Sequence, residues 1–281
     1  MNQFKTVILL AALGGLLVGL GFFFGGARGA SVMLVVALAM NFVTYWFSDK
    51  IVLRMYNAQE IGPQEYPDLY NLVGQLAQRA GLPMPRVYII PDDSPNAFAT
   101  GRNPNHSAVA VTQGILSLLS WEELAGVIGH ELGHVKNRDI LIQTVAATIG
   151  TAITYVAHFG FFFGGRSDDE EGGGSFIGSI LMMILAPMAA MIIQMAISRS
   201  REYLADEAGA RICGQPLWLA DALNKLAMGT ERVPMNAASQ STAPLFIVHP
   251  FAGGGIANLF STHPPIEQRV DRLRDMAAGN R

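Results

Sequence analysis

The amino-acid sequence predicts an α-helical membrane protein with four transmembrane helices and an α+β cytosolic domain that contains a small antiparallel sheet. The first observation is composition: of 281 residues, 51% are hydrophobic and 15% are charged, against about 25% charged in a typical soluble domain. The second is that the apolar residues lie in long uncharged segments, and a helix needs about 20 such residues to cross a bilayer. The third is that the remaining segments are large enough to form a domain.

Four segments have the length and the lack of charge that a spanning helix requires: residues 6–27, 29–48, 140–165 and 176–198. The first two are separated only by Arg28 and predict one hairpin over residues 6–48. The last two predict a second hairpin within residues 140–198. A cleaved signal peptide is the alternative for the first segment, and a buried hairpin of a soluble protein is the alternative for the last two. The length of the apolar segments disfavours both alternatives.

Basic residues at the helix ends predict the orientation, because cytoplasmic loops are enriched in Lys and Arg. One side carries seven: Lys5, Lys50, Arg54, Lys136, Arg138, Arg199 and Arg201. The other side carries two, Arg28 and Arg166. Both termini and both soluble segments, residues 49–139 and 199–281, are therefore expected in the cytoplasm.

Net charge and cysteine content argue against a strongly basic nucleic-acid-binding protein and exclude a protein stabilised by intrachain disulfides. The formal net charge is −3, so no general basic field is available to bind nucleic acid. Cys213 is the only cysteine. The chain therefore has no intrachain disulfide, which is typical of a reducing compartment.

Local patterns predict the elements of the first soluble segment. Apolar residues at helical spacing precede Gly81 and indicate one amphipathic helix. Three short runs rich in β-forming residues, at 87–90, 97–100 and 108–111, predict the small antiparallel sheet. A further helix is expected from about Trp121, since Ser120 and Glu123 have the spacing of a capping box.

The most specific chemical signal lies on that helix. His130 and His134 are four residues apart, so both imidazoles face the same side and can bind one tetrahedral zinc ion. Glu131 lies beside the open coordination position, where its carboxylate can take a proton from a zinc-bound water. The alternative is a pair of ordinary histidines on a surface helix.

A catalytic zinc requires a third ligand, usually His, Glu or Asp from another helix. His134 precedes the third apolar segment by six residues and Glu202 follows the fourth by four. Both side chains are therefore expected at a similar height above the membrane on neighbouring helices. Asp206 shares the face of Glu202 and can accept a hydrogen bond from a ligand imidazole. The alternative is that both carboxylates are solvated partners of nearby arginines.

Several further residues are weaker candidates. His263, Arg269 and Tyr203 are candidate stabilisers of the oxyanion or supports of the ligands, because each can donate a hydrogen bond near the zinc. The alternative for His263 and Arg269 is a turn and a surface ion pair. The substrate-binding strand is expected at Asn96, Ala97, Phe98 and Ala99. An exposed strand edge beside the zinc can pair with an extended peptide, although an ordinary hairpin strand would have the same sequence pattern.

Four motifs occur in a fixed order: NAFATG at 96–101, HELGHVKNRD at 130–139, SRSREYLAD at 198–206 and STHPP at 261–265. In these motifs and in the placement of its apolar segments, the chain resembles the HtpX family of bacterial heat-shock membrane metalloproteases. The wider family includes the CAAX prenyl endopeptidases. The resemblance implies a zincin-like catalytic domain with one Zn²⁺ per chain bound by His130, His134 and Glu202, and with Glu131 catalytic.

The resemblance also implies a multi-pass protein of the bacterial cytoplasmic membrane that cleaves misfolded membrane proteins. Its expected partners are those substrates and the lipid bilayer, and self-association or self-cleavage is expected after detergent extraction. Two alternatives remain open: a CAAX-type prenyl-protein peptidase, and a non-catalytic, zinc-stabilised binding module of the membrane. An intramembrane protease is disfavoured because Lys136, Arg138 and Asp139 follow the histidine motif at once.

Overall fold

The computed structural model of the protein describes residues 2–150, 199–235, 238, 242–248, 250 and 264–279. This part of the chain contains an apolar helical hairpin, a four-stranded sheet and helices that pack on the sheet. The predicted fourth transmembrane segment and most of the third lie outside the described residues.

The first helix, α1 (Asn2–Met55), is a hairpin in space. Its path reverses at Gly26, where φ is 56° and ψ is −147°, a conformation that glycine adopts at little cost. The two halves lie side by side, since the Asn41 side-chain amide donates a hydrogen bond of 3.1 Å to the carbonyl of Leu10.

Apolar length distinguishes the two halves of this hairpin. In the described residues, Gly25–Met55 is the one helix that is long and apolar enough to cross a membrane. Thr6–Gly19 and Ile140–Gly150 are apolar but shorter. We label the latter α5; its Leu141, Ile142 and Val145 share a buried cluster with the first half of α1. The start of α5 therefore belongs to the same apolar bundle as α1.

The sheet contains β1 (Gln59–Ile61), β2 (Arg86–Ile90), β3 (Ala97–Asn103) and β4 (His106–Thr112). The strand order is β1-β2-β4-β3, so β3 is an edge strand. The prediction of a purely antiparallel sheet was wrong, because β2 and β4 are parallel while the other two pairs are antiparallel. The chain runs out along β3 and returns as β4 beside β2, and this connection is long enough to let β4 run in the same direction as β2.

Alternate residues of the strands face opposite sides of the sheet. Val87, Ala99 and Val109 face the main helical core. Phe98 and Ala110 face the other side, where they meet the end of α1 and the covering segment, which is our name for residues 242–248. The remaining helices are α2 (Pro67–Ala80), α3 (Gln113–Leu118), α4 (Trp121–Lys136), α6 (Arg199–Cys213), α7 (Pro216–Arg232) and α8 (Ile266–Ala277).

Glycines bring α4 and α6 close enough for their backbones to touch. A Cβ atom built on Gly209 of α6 would lie 2.6 Å from the backbone nitrogen of His130. A Cβ atom on Gly129 of α4 would lie 2.9 Å from the carbonyl oxygen of Gly209. Any larger residue at these positions would push the helices apart, and the motif on α4 therefore lies directly against α6.

Candidate metal centre

The helix α4 presents three buried functional side chains beside α6. It begins at the predicted capping box, in which Ser120 and Glu123 satisfy each other's backbone N–H groups. In its last two turns, the side chains of His130, Glu131 and His134 are all at most 5% exposed. A buried polar cluster of this kind requires partners for every charge.

Glu202 on α6 completes a triad with the two histidines. The Nε2 atoms of His130 and His134 lie 3.2 Å apart. The Glu202 carboxylate oxygens lie 3.8 Å from His130 Nε2 and 3.5 Å from His134 Nε2. These three side chains form a candidate metal site.

The donor geometry fits one zinc ion. With zinc–ligand bonds of about 2.1 Å in a tetrahedral arrangement, ligand atoms lie roughly 3.4 Å from each other, close to the three distances observed. The two Nδ1 atoms face carboxylates, which favours protons on Nδ1 and, once a metal ion is bound, leaves both Nε2 lone pairs as its donors. Two lone pairs and a carboxylate repel each other unless a cation lies between them.

His130 is held by a chain of buried charges. Its Nδ1 lies 2.8 Å from Oδ1 of Asp206. Arg269 in turn donates from Nε and Nη2 to the two carboxylate oxygens of Asp206, at 2.8 and 2.6 Å. The Arg269 side chain is fully buried and its Nη1 donates to the carbonyl of Ile247 at 2.9 Å. Its guanidinium therefore links Asp206 to the covering segment through hydrogen bonds.

His134 has an equivalent partner that the sequence analysis did not identify. Its Nδ1 lies 3.3 Å from Oδ2 of Asp139, and Arg201 Nη1 lies 3.8 Å from the other oxygen. The backbone turns back after α4 through Arg138, at φ 58°, so that the Asp139 N–H donates to the His134 carbonyl. The available signal in the sequence is an aspartate five residues after the second histidine, at a position that also fits a charge flanking the membrane.

The charges of the site also favour a divalent cation. The carboxylates of Glu131, Glu202, Asp139 and Asp206 face the guanidinium groups of two arginines. If all four carboxylates are ionised and both imidazoles are neutral, the net charge is −2, which one divalent ion would balance.

The pKa values of the site residues also reflect an excess of negative charge. Burial lowers the pKa of His130 to about 4 and raises that of Glu131 to about 8. Burial would also lower the pKa of His134, but Glu202, Asp139 and Glu131 outweigh it and raise the value to about 9. A positive charge among these carboxylates is therefore favoured, and without the ion a proton on His134 supplies it.

The edge of β3 lies directly against the motif. The N–H of Ala99 donates to the Glu131 carboxylate at 2.7 Å, and the carbonyl of Ala97 accepts from the N–H of Ile247 at 3.2 Å. Both groups face away from β4. The covering segment therefore occupies the strand edge where a peptide was expected to pair.

The other two residues of the predicted substrate strand have structural contacts. The side-chain amide of Asn96 donates to the carbonyl of Val248 at 3.2 Å. Phe98 lies on the opposite face, with its ring centroid 5.9 Å from Tyr56 and 5.4 Å from Phe246. The strand thus presents backbone groups rather than its larger side chains to the site.

The structure does not bring every sequence candidate to the triad. Tyr203 follows Glu202 and therefore points to another side of α6, where its hydroxyl donates to Gln268 at 2.9 Å and its ring lies 3.6 Å from the guanidinium of Arg272. Arg269 reaches the site only through Asp206 and His130, so it does not face the open side of the triad. His263 lies outside the described residues.

Comparison with known proteins agrees with this geometry. Residues 63–277 match peptidase family M48. The chain belongs to peptidase family M48. A curated relative of this M48 peptidase, "Protease HtpX homolog" from Thermococcus kodakarensis, is 56% identical over 97% of the chain and 95% of the relative. A second protein of that name, from Paraburkholderia phytofirmans, is 53% identical over 100% of the chain and 99% of the relative.

The fold of this M48 peptidase also resembles a solved structure. A crystal structure of Ste24p from S. mikatae matches 97% of the chain with a TM-score of 0.52 at 19% identity, and the match spans 65% of that structure's chain. The family match and the two relatives confirm the likeness to HtpX proteases. The protein is a membrane-associated metalloprotease with a candidate metal triad.

Proposed function

We propose that this M48 peptidase is a zinc-dependent endopeptidase that cleaves misfolded or damaged membrane proteins at the cytosolic surface of the bacterial cytoplasmic membrane. The observation that carries the proposal is the convergence of His130, His134 and Glu202, with Glu131 between this triad and the edge of β3. A structural zinc site would normally fill its fourth coordination position with another protein ligand. A triad with Glu131 beside it therefore favours a catalytic site over a structural one.

The position of the triad supports action at the membrane surface. Asp139, the partner of His134, is followed directly by α5, whose first residues pack against Leu9 and Leu13 of α1. The ligand His134 therefore lies only six residues before the start of an apolar bundle. The excess of basic residues on this side of the predicted spans supports a cytosolic orientation.

The residues around the triad have separate roles in hydrolysis. Bound zinc supplies a Lewis acid that lowers the pKa of a water and polarises the substrate carbonyl. Glu131 takes the proton of the attacking water and passes it to the leaving amine. Asp206 and Asp139 hold the Nδ1 protons, so that both imidazoles keep Nε2 free for the metal.

The substrate pairs with β3 as an additional strand. The carbonyl of Ala97 and the N–H of Ala99 face away from β4, and a peptide paired with the Ala97 carbonyl would lie beside Glu131, which keeps the N–H of Ala99. Binding requires Ile247 to leave Ala97. Recognition through backbone groups places little demand on side chains, which suits an enzyme that clears unfolded segments of many proteins.

Replacing Ala99 by proline is expected to lower kcat/KM for peptide hydrolysis about 100-fold without loss of metal. Proline removes the N–H that donates to Glu131, but this N–H faces away from β4, and edge strands tolerate proline at such positions. Peptide cleavage and bound zinc are measured on the same preparation. An Ala99→Val variant, which keeps the N–H, is the control, and full activity of the proline variant would contradict this role of the edge.

The two aspartates are expected to tune metal affinity. Asp206→Asn and Asp139→Asn should each weaken zinc binding about 10- to 100-fold, since each replaces the charged acceptor of a ligand imidazole's Nδ1 proton by a neutral amide, which holds that proton less strongly. The dissociation constant is measured by competition with a chelator. Asp221→Asn, on the exposed surface of α7, is the matched control. Affinity that is unchanged in both site variants would refute the orienting role.

The substrate class is tested with co-reconstituted reporters. A single-span protein with an unfolded cytosolic segment is compared with one in which that segment is replaced by a stable folded domain. The proposal predicts zinc-dependent cleavage of the unfolded segment and little cleavage of the folded one. Cleavage of neither reporter, with prenylated peptides hydrolysed instead, would replace the proposal by the CAAX-type activity.

A further inference from the structure

A cavity lies away from the triad, where the end of α1 meets the hairpin between β3 and β4. Its volume is about 630 Å³, within the range of about 300–1,000 Å³ that is usual for small-molecule sites. The side chains that matter for its chemistry are Trp46, Lys50, Arg86, Arg102 and His106. None of them takes part in the metal centre.

Exposed aromatic residues of α1 border the cavity. Phe42, Trp46 and Phe47 line the cavity, and Tyr45 packs edge-on against Trp46. The four side chains are between 37% and 58% exposed, which is unusual for four aromatic side chains in six residues. Trp46 lies 18 residues after Arg28 in the apolar helix, and at 1.5 Å per residue this is about 27 Å, close to the thickness of a bilayer core. Aromatic belts occupy this depth at the membrane–water interface.

Positive charge is concentrated at the same level. The Arg102 guanidinium lies 4.3 Å from the centre of the Trp46 ring, and Lys50 Nζ lies 5.5 Å from that of Phe47. Arg86 is paired with Asp49 at 2.7 Å. Among the described residues, neither Lys50 nor Arg102 forms an ion pair, so the cavity carries two uncompensated cations.

We propose that this cavity binds the head group of an anionic phospholipid, with the phosphodiester oxygens between Lys50 and Arg102 and the acyl chains along the exposed aromatic face of α1. Arginine is well suited to phosphate oxygens because its planar guanidinium presents several donors. A phospholipid satisfies both the cations and the adjacent aromatic surface, whereas free phosphate satisfies only the cations. Bound lipid would fix the height of the β3–β4 hairpin relative to the membrane.

The test uses the full chain with Glu131→Gln, which prevents self-cleavage, purified in mild detergent. Native mass spectrometry measures retention of phosphatidylglycerol and of phosphatidylcholine offered separately. We expect clear preference for phosphatidylglycerol. Lys50→Gln with Arg102→Gln should reduce this preference about 30-fold, since each cation near an anionic lipid contributes about fivefold.

Two controls separate the site from general charge effects. Arg211→Gln removes one positive charge from a side chain that is 76% exposed on α6 and should leave the lipid preference unchanged, whereas loss of one of the two cavity cations should lower it about fivefold. Arg102→Lys with Lys50 intact keeps both charges and should retain most of the preference. Equal preference in the double glutamine variant and its parent would overturn the proposal. Displacement of the lipid by an equal concentration of inorganic phosphate would also overturn it, because the acyl chains would then contribute nothing.

Discussion

The Glu131→Gln variant is expected to lose about 1000-fold or more of its kcat for peptide hydrolysis, near the upper part of the range for removal of a general base. Glutamine has nearly the same shape and still accepts the hydrogen bond that Ala99 donates, which is 2.7 Å long in the native chain. It cannot, however, take a proton from water. The rate is measured on a quenched peptide with saturating zinc.

The same variant should keep its metal, because Glu131 is not one of the three converging ligands. Bound zinc per chain, measured by elemental analysis, should equal that of the native protein. Glu122→Gln, on an exposed residue of the first turn of α4, is the matched control and should be fully active. Substantial turnover by the Glu131 variant would show that another residue is the base.

Glu202→Gln is expected to lose both the metal and the activity. The amide has no negative charge to offset the divalent ion, and only two imidazoles remain as strong ligands. In the native chain, zinc should raise the melting temperature, since a ligand at 100 times its Kd stabilises the folded state by about 2.7 kcal/mol. The variant should show no such rise at the same zinc concentration.

The matched control for this variant is on the same helix. Glu207→Gln changes a half-exposed carboxylate that pairs weakly with Arg211 at 3.8 Å. It should bind zinc and hydrolyse peptide as the native chain does. If Glu202→Gln also keeps one tightly bound zinc per chain, Glu202 is not the third ligand and the geometry of the triad has been misread.

The helical part of the site could be predicted because it depends on local spacing. The capping box at Ser120 and the four-residue interval between His130 and His134 fix a helix face from sequence alone. Glu202 could be inferred because the predicted apolar hairpin returns the chain to the same side of the membrane. The structure places its carboxylate within 3.8 Å of both Nε2 atoms.

Contacts between distant elements could not be predicted in the same way. Nothing in the local pattern says that Gly209 must touch the backbone of His130, or that β4 inserts between β2 and β3. The role of Asp139 depends on the turn at Arg138, whose positive φ is unusual for a residue other than glycine. The covering segment along β3 depends equally on tertiary packing, because Ile247 pairs with a residue 150 positions earlier.

The most direct test of the account is a zinc titration of the purified chain after chelation. Cleavage of casein is followed together with bound zinc. We expect activity to rise in proportion to zinc and to reach its plateau at one ion per chain, and we expect Glu131→Gln to bind the same single ion without cleavage. One bound ion with no cleavage of any substrate by the native chain would contradict it and would favour a zinc-stabilised binding module.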